Sequence, residues 1–545
     1  MIKYLFTVFT VLMLFLSCKK DEIPVTTYLA IKNFTIDHNS ANTINPVGLQ
    51  PNFEITVSEG TDIEKLKKAF VISGPNINNI QFAFNYASGD TTIVINAAEK
   101  LDPLSSYSIV ISDSLVSKQG HSLQTPYYAS FKTQIDSTDK FPRISDEALL
   151  TLIQKKTFTF FWDFGHPYSG MARERNNSGN LVTTGGTGFG IMSIIVGIEN
   201  NFISRQEGLE RITKIVSFLN DKVTRYHGAF PHWLDGNTGA TIPFSTKDNG
   251  GDLVETSFLM EGMLCALEYF DKSTVDEMSL RQIITKLWEE VEWDWYTKNN
   301  SDVLYWHWSP DYNWELNHQI KGWNEALITY ILGAASPTHP ISPSTYQNGW
   351  ASNGGIKNGR SYFNYPLPLG YDYGGPLFFE HYSFLGINPT ALIDAYANYH
   401  LQTVNHSLIN WQYCASNPKK FYGYSDTCWG LTASDTRTGY TAHSPTNDLG
   451  VITPTAALSS MPYTPEQSLK AARFFYYTLG DKIFKDMGFV DAFSLHYLWF
   501  ADSFLSIDQG PIIVMIENYK TGLIWNYTMK NKDIKNGLEK LGFSY

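Results

Sequence analysis

Up to about residue 135 the apolar positions fall on every second residue, and beyond residue 145 they recur every three to four. The first pattern predicts strands at Phe53 to Val57, Ile80 to Tyr86, Thr91 to Ile95, Tyr107 to Ile111 and Ala129 to Thr133, at the turn spacing of a β-sandwich. The second predicts helices. They run from Ser145 to Trp162, Gly188 to Glu199, a capping box at Ser204-x-x-Glu207 through Leu219, and Asp252 through Leu267. Further helices are expected from Thr274 to about Tyr296, Asn317 to Leu332, Asn388 to Leu408, Thr453 to Ser459, Thr464 to Leu479, Pro511 to Trp525 and Lys532 to Leu541. No strand–helix alternation appears, which excludes a doubly wound sheet. No fixed short repeat appears either, which argues against a solenoid and for a closed toroid of helical hairpins. Its long irregular loops would gather at one end and line a cleft.

The ends of these regions carry their own signals. Residues 1–17 read as a signal peptide, with Lys3 ahead of an apolar run from Tyr4 to Leu16 that is too short to span a bilayer. Leu16-Ser17-Cys18 resembles a bacterial lipobox, with Phe15 where Leu is usual. The Lys19-Lys20-Asp21-Glu22 run after it resembles the export tag of surface lipoproteins. Lipidation at Cys18 would anchor the chain without spanning the membrane. The division expected is a signal peptide at 1–17, a polar tether at 18–27, the sandwich at 28–135, a linker at 136–144 and the helical domain at 145–545.

Composition narrows the partner. The net charge of −12 disfavours nucleic acid and other polyanions, so a neutral ligand is the natural inference. Aromatic residues make up 15% of the chain, and many stand among Gly, Asn, Asp and His instead of in apolar runs. Flat rings with polar neighbours suit a sugar, whose C–H face stacks while its hydroxyls take hydrogen bonds. The cysteines are Cys18, Cys265, Cys414 and Cys428, with no C-x-x-C; one bridge, between Cys414 and Cys428, is conceivable.

Candidate chemistry concentrates where a polar, glycine-broken loop, Phe244 to Gly251, runs into an apolar helix. Asp252 and Glu255 lie three apart at that helix start, which is the pattern of an acidic capping box but also of a carboxyl pair on one face. Glycoside hydrolysis needs two carboxyl groups, one to protonate the leaving oxygen and one to act on water or the sugar carbon. Three further segments have site-like composition: Trp162 to Gly190, Trp306 to Glu325 and Leu505 to Pro511. The glycines of Thr184-Gly-Gly-Thr-Gly188 read as a turn that lets backbone approach substrate or a neighbouring helix. Asp508 reads equally as an N-cap or as a site acid. His232, His307, His318 and His381 lie near these segments without metal-ligand spacing, so no metal and no cofactor are expected.

Five segments in order carry a family resemblance: Ser169-Gly-Met-Ala-Arg-Glu-Arg175, Thr184 to Gly188, Asp252-Leu-Val-Glu255, Trp323-Asn-Glu325 and Ile507-Asp-Gln-Gly-Pro511. Together they resemble the glucoamylase-like domain of bacterial surface proteins, nearest to the endo-β-1,2-glucanases of glycoside hydrolase family 144. Leu101 to Tyr107, Gly120 and Phe131 to Thr133 resemble bacterial Ig-like domains.

The resemblance implies an Ig-like β-sandwich followed by an all-α (α/α)6 toroid that cleaves β-1,2-glucan with inversion. It places the essential acids on Asp252 and Glu255 and the cleft acid on Glu325, with Asp248 and Asp508 as looser matches. Beside them, Trp233, Trp306, Trp308 and Trp314 are expected to stack on sugars, and Arg173, His232 and Asp248 to bond hydroxyls. The expected protein is a monomeric outer-membrane lipoprotein, exposed at the cell surface or else facing the periplasm. Two rivals are a non-catalytic glycan-binding lipoprotein, which would need no acid constellation, and a polysaccharide lyase, which would need a Tyr or His base and positive charge.

Overall fold

The computed structural model describes residues 27–40 and 46–545, so the signal peptide, Cys18 and most of the tether lie outside the described residues. The chain divides into two compact units, 1–136 and 137–545.

The first unit is a β-sandwich. Its strands are β1 (Ile31–Ile36), β2 (Asn39–Ser40), β3 (Asn52–Val57), β4 (Phe70–Ser73), β5 (Phe82–Ser88), β6 (Thr92–Ala97), β7 (Ser106–Ile111) and β8 (Tyr127–Lys132), with a short helix α1 (Ile63–Ala69) before β4. One antiparallel sheet has the order β2-β1-β3-β6-β5 and the other β4-β7-β8. Alternate residues Phe53, Ile55, Val57, Ile93, Ile95, Ile109 and Ile111 point inward and are buried. Tyr107 stacks on Phe131 with centroids 5.4 Å apart. The period-two pattern locates five strands but misses β1, the two-residue β2 and β4. A bulge between Ile31 and Asn33 breaks the alternation of β1, and β4 comes directly after α1 without a turn residue.

The second unit is helical: α2 (Asp146–Trp162), α3 (Thr184–Glu199), α4 (Arg205–Lys222), α5 (Leu253–Tyr269), α6 (Val275–Glu289), α7 (Leu327–Ala335), α8 (Tyr399–Ser416), α9 (Pro454–Leu458), α10 (Pro465–Arg473), α11 (Gly480–Ile483), α12 (Ser506–Lys520), α13 (Leu523–Thr528) and α14 (Lys532–Leu541). Burial sorts them into two classes. α3, α5, α7 and α12 are buried on nearly every side, whereas α4, α6 and α14 bury a single apolar face. The buried helices are neighbours in succession, α12 on α3, α3 on α5 and α5 on α7, with α9 against α12.

Glycine sets how close they come. A Cβ on Gly188 of α3 would stand 2.1 Å from the Phe258 carbonyl oxygen of α5, and one on Gly262 would stand 2.2 Å from the Gly188 carbonyl oxygen. At the other crossing, a Cβ on Gly510 of α12 would stand 2.5 Å from Phe189. The segment read as a turn, Thr184 to Gly188, is therefore the opening of α3, and its glycines serve the approach to neighbouring helices.

Other boundaries shift for identifiable reasons. Residues 317–326 do not begin a helix: Asn317 and Gly322 have positive φ, and Gln319–Ile320 pairs with Leu304–Tyr305, so α7 starts at Leu327. The helix expected from Asn388 starts at Tyr399, because the Asp394 carboxylate accepts from Tyr396 and Ala397 N–H in a turn and Asn398 then caps α8. α6 ends at Glu289, not Tyr296, and α12 begins at Ser506, before the expected Pro511. The stretch 136–144 divides at residue 136, and its later part folds with the helices. Phe141 stacks on Tyr476 at 4.7 Å, the Tyr477 carbonyl accepts from Lys140 N–H, and the Tyr477 hydroxyl accepts from Ile144 N–H. Cys414 and Cys428 are separate buried thiols, so the conceivable bridge does not form.

Candidate active site

Four neighbouring buried helices present their N-terminal ends to one place. Gly185 lies in the first turn of α3, Glu255 in that of α5 and Asp508 in that of α12, while Glu325 stands two residues before α7. Such ends carry unpaired N–H groups and the positive pole of the helix dipole, which favours carboxylates.

Asp252 is the N-cap of α5 and is completely buried. Its Oδ1 accepts from Val254 and Glu255 N–H, both at 3.0 Å, and its own N–H donates to the Phe230 carbonyl at 2.9 Å. The capping-box reading is thus half right. Glu255 does not fold back onto the cap; its Oε2 reaches across to α3 and accepts from Gly185 N–H at 2.8 Å and from the Thr183 hydroxyl at 3.4 Å. Only glycine fits there, since a Cβ on residue 185 would stand 2.6 Å from that oxygen.

Two imidazoles link the acids into a chain. His232 places Nδ1 3.0 Å from Asp252 Oδ2 and Nε2 3.8 Å from Glu255 Oε1. His307 places Nε2 3.2 Å from Asp248 Oδ2 and 3.6 Å from Asp252 Oδ2. The antiparallel pairing of Gly251–Asp252 with His307–Trp308 sets His307 opposite Asp252. Burial opposes charge on His232, but Glu255 and Asp252 outweigh it and lift the imidazole to about 9. His307 is also lifted to about 9, against burial, by Asp248 and Asp252. Burial alone would raise Asp252, yet the two histidines hold it below the usual carboxylate range. His232, Asp248 and Asp252 offer donor atoms within 4.8 Å of one another, a grouping that could face a cation.

Glu255 and Glu325 behave differently. Burial raises Glu255, and Asp252 adds to this while His232 opposes it. Burial, with Glu255 and Asp252 nearby, pushes the half-buried Glu325 up to about 7. The Ser383 hydroxyl donates to the Glu325 carbonyl and accepts from Ile328 N–H, fixing the entry to α7. Glu325 is therefore a carboxyl that holds its proton near neutrality.

A second acid cluster lies beyond Tyr382, whose buried phenol is raised by burial and then by Asp508, Tyr440, Glu325 and Glu255 around it. Asp508 is not an N-cap, a position held by Leu505, but is buried beside Asp491. Burial and then Asp491 hold Asp508 well above the usual range, and burial lifts Asp491 to about 7. Asp491 accepts from Asp435 N–H at 2.6 Å, and the Asp435 carboxylate pairs with Arg175 at 3.1 Å. Sequence reasoning left Asp435, Asp491 and Tyr382 unmarked. They come from loops far apart in the chain, and no local pattern connects them.

Of the residues expected to meet sugars, Trp233 and Trp306 stay with the acids. Trp233 is edge-on to His232, and Phe244, half exposed, stacks on His232 with centroids 4.3 Å apart. Trp306 stacks on His318 at 4.9 Å beside His307. Trp308 and Trp314 do not join them. Alternate strand residues face opposite ways, so Trp308 lies on the far side of its strand from His307, against His227 and Trp295, and Trp314 packs on Trp295, Tyr296 and Tyr305. Arg173 sits with its guanidinium 4.6 Å above the Phe164 ring; the neighbouring Arg175 is the one that pairs with a cluster acid. His381 is a buried neutral imidazole bonded to Ser460, pushed down to about 3 by burial and then His406.

Known proteins share this arrangement of chain. A family model described as "Putative glucoamylase" matches residues 317–532, and one for a bacterial Ig-like domain matches residues 25–133. The solved endo-β-1,2-glucanase of Chitinophaga pinensis is 50% identical over 74% of this chain and 99% of its own, with a TM-score of 0.73. A β-1,2-glucanase structure from Parabacteroides distasonis is 35% identical over 95% of this chain and 74% of its own, with a TM-score of 0.72. The exo β-1,2-glucooligosaccharide sophorohydrolase (non-reducing end) of the same species is 44% identical over 431 residues, 75% of this chain. The chain spans 60% of the length of that curated relative.

Proposed function

The chain belongs to the glucoamylase-like family, and from that premise we propose that it is a glycoside hydrolase cleaving β-1,2-linked glucan or its oligosaccharides by acid/base catalysis with inversion. The observation that carries the reading is the pairing of opposite carboxyl environments at one set of helix ends. Glu325 keeps a proton near neutrality, and the buried sequence Glu255, His232, Asp252, His307, Asp248 alternates carboxylate with imidazolium.

In this reading Glu325 protonates the leaving oxygen. Glu255 is the base that activates water, oriented by Gly185 N–H and steadied by the charge on His232. Asp252 has both oxygens committed and no exposed surface, so it is a positioning residue for His232 and His307. Acid and base then come from different segments, and the reading requires them to stand about 6.5–9.5 Å apart with a water between them, as in an inverting pair. One observation favours another base: Asp508, buried in the first turn of α12, is among the acids around Tyr382 together with Glu325 and Glu255. Asp508→Asn and Glu255→Gln separate the two, because loss of the base abolishes turnover while loss of a hydroxyl-binding group mainly raises KM.

The successive buried helices are read as the inner ring of an (α/α)6 toroid, with the half-buried helices outside. The chain is read as a surface lipoprotein anchored through Cys18. Purified protein lacking residues 1–18, incubated with a panel of neutral glucans, should release short β-1,2 oligosaccharides of inverted anomeric configuration by NMR. Cleavage of another linkage, or binding without cleavage, would overturn the reading. Radiolabelled palmitate incorporation lost in Cys18→Ala would test the anchor.

A further inference from the structure

The tryptophans that the fold turns away from the carboxylates make a second aromatic centre. In the antiparallel pairing of Gly251–Asp252 with His307–Trp308, His307 and Asp252 share one face and Gly251 and Trp308 the other. A Cβ on Gly251 would meet the Tyr296 hydroxyl at 2.1 Å, so the second face is packed against Tyr226 and Tyr296. On this face Trp308 lies edge-on to His227, and His227 stacks on Trp295 with centroids 3.7 Å apart at 16°. Trp295 is nevertheless 40% exposed. Trp308 and Trp314 also border the ring, and its exposed part lines a hollow on the surface.

What surrounds the ring is polar and built to hold it. Glu292 carries His227 Nδ1 at 3.0 Å, and Asp294 carries His339 Nδ1 at 3.2 Å. Beside Trp295 is a concavity of about 280 Å³ lined by Glu292, Asp294, Asn299, Asn300 and His339. It adjoins a second hollow of about 630 Å³ that shares Glu292 and His339 and continues past Arg225. Together they form a groove with an aromatic wall and carboxylate, amide and imidazole groups along it. Its carboxylates exclude a polyanion, and its lack of apolar depth does not suit a lipid or a helix. A neutral polyhydroxylated chain fits both parts: C–H faces on the indole and hydroxyls on the Asn, Asp and Glu groups.

We propose that Trp295 and this groove form a second glucan-binding site, separate from the carboxylates that perform hydrolysis, which holds a longer chain against the enzyme. The occupant rests on the proposed reading of the substrate as β-1,2-glucan. The site adds affinity by tethering: a chain held at Trp295 presents its other units at high effective concentration.

The test uses protein lacking residues 1–18 with Glu325→Gln, so that ligand is not consumed, with and without Trp295→Ala. Isothermal titration with polymeric β-1,2-glucan should show affinity lower by about tenfold in the Trp295→Ala form, with the β-1,2-linked trisaccharide bound equally by both. With Glu325 intact, Trp295→Ala should raise KM for polymer and leave trisaccharide turnover unchanged. Equal polymer affinity in the two forms would overturn the second site while leaving the hydrolase reading in place. If the parent protein neither turns over nor binds any β-1,2-glucan, the hydrolase reading fails, and the second site falls with its occupant. Trp295 also packs on His227, Trp308 and Trp314, so the folding control for Trp295→Ala is a wild-type circular dichroism spectrum together with the unchanged trisaccharide turnover.

Discussion

Replacing Glu325 with Gln removes a proton donor and leaves its shape. The structure lifts this carboxyl from 4.5 to about 7 through burial, with Glu255 and Asp252 contributing. In the wild type roughly half of it is protonated at pH 7, the condition under which a general acid works best. Losing a general acid costs about 10²–10⁴ in rate, or about 3–5 kcal/mol of transition-state stabilisation at about 1.4 kcal/mol per tenfold. kcat on a β-1,2 oligosaccharide should therefore fall by that factor with KM little changed, measured by product chromatography.

The same shift carries a stability consequence. A carboxyl raised on folding stabilises fully below its unfolded value and loses that contribution as pH rises through about 7. The full shift is worth about 3 kcal/mol, but Glu325 is only half buried, so about 1 kcal/mol is expected. Glu325→Gln should thus be more stable than wild type at pH 8 and equal to it at pH 4, while nearly inactive at both. The alkaline limb of the wild-type pH–rate profile should lie near 7. An active Glu325→Gln enzyme, or one with an alkaline limb unmoved and no gain in stability, would refute this assignment.

The remaining predictions concern the frame. His232 and His307, both lifted to about 9 from 6.5, contribute stability below pH 6.5 that is lost as pH rises to 9; Asp248→Asn should shrink that alkaline decline in thermal melts by removing one partner of His307. Asp252→Asn should lower stability by about 3–5 kcal/mol in denaturant titration, because it strips two buried imidazolium groups of their shared carboxylate. Gly188→Ala should cost about 3 kcal/mol or more, since the added methyl meets backbone that cannot turn aside. Glu261, buried in α5 and raised well above the usual range by burial, accepts from Gly386 N–H at 2.9 Å, so Glu261→Gln should be nearly neutral and Glu261→Leu should cost about 2–4 kcal/mol at pH 7 by calorimetry.

The amino-acid sequence by itself determined the two classes of structure, most helix positions and the two nearest acids. Those features are local: a period of two or of 3.6, Ser204 with Glu207, Asp252 with Glu255. It also marked the right glycines, although it read the opening turn of α3 as a loop, because a glycine in a turn and a glycine at a helix crossing look alike until the partner helix is known. What only the tertiary structure decided is who faces whom. Glu255 leaves its own cap for Gly185, Asp508 lies beside Asp491 and Asp435, and Trp308 turns away from the carboxylates that its chain neighbour His307 faces. The physical reason is that helix ends converge through packing between segments hundreds of residues apart, and strand pairing sends adjacent side chains to opposite faces. Neither pairing of distant segments nor choice of face is written in local periodicity.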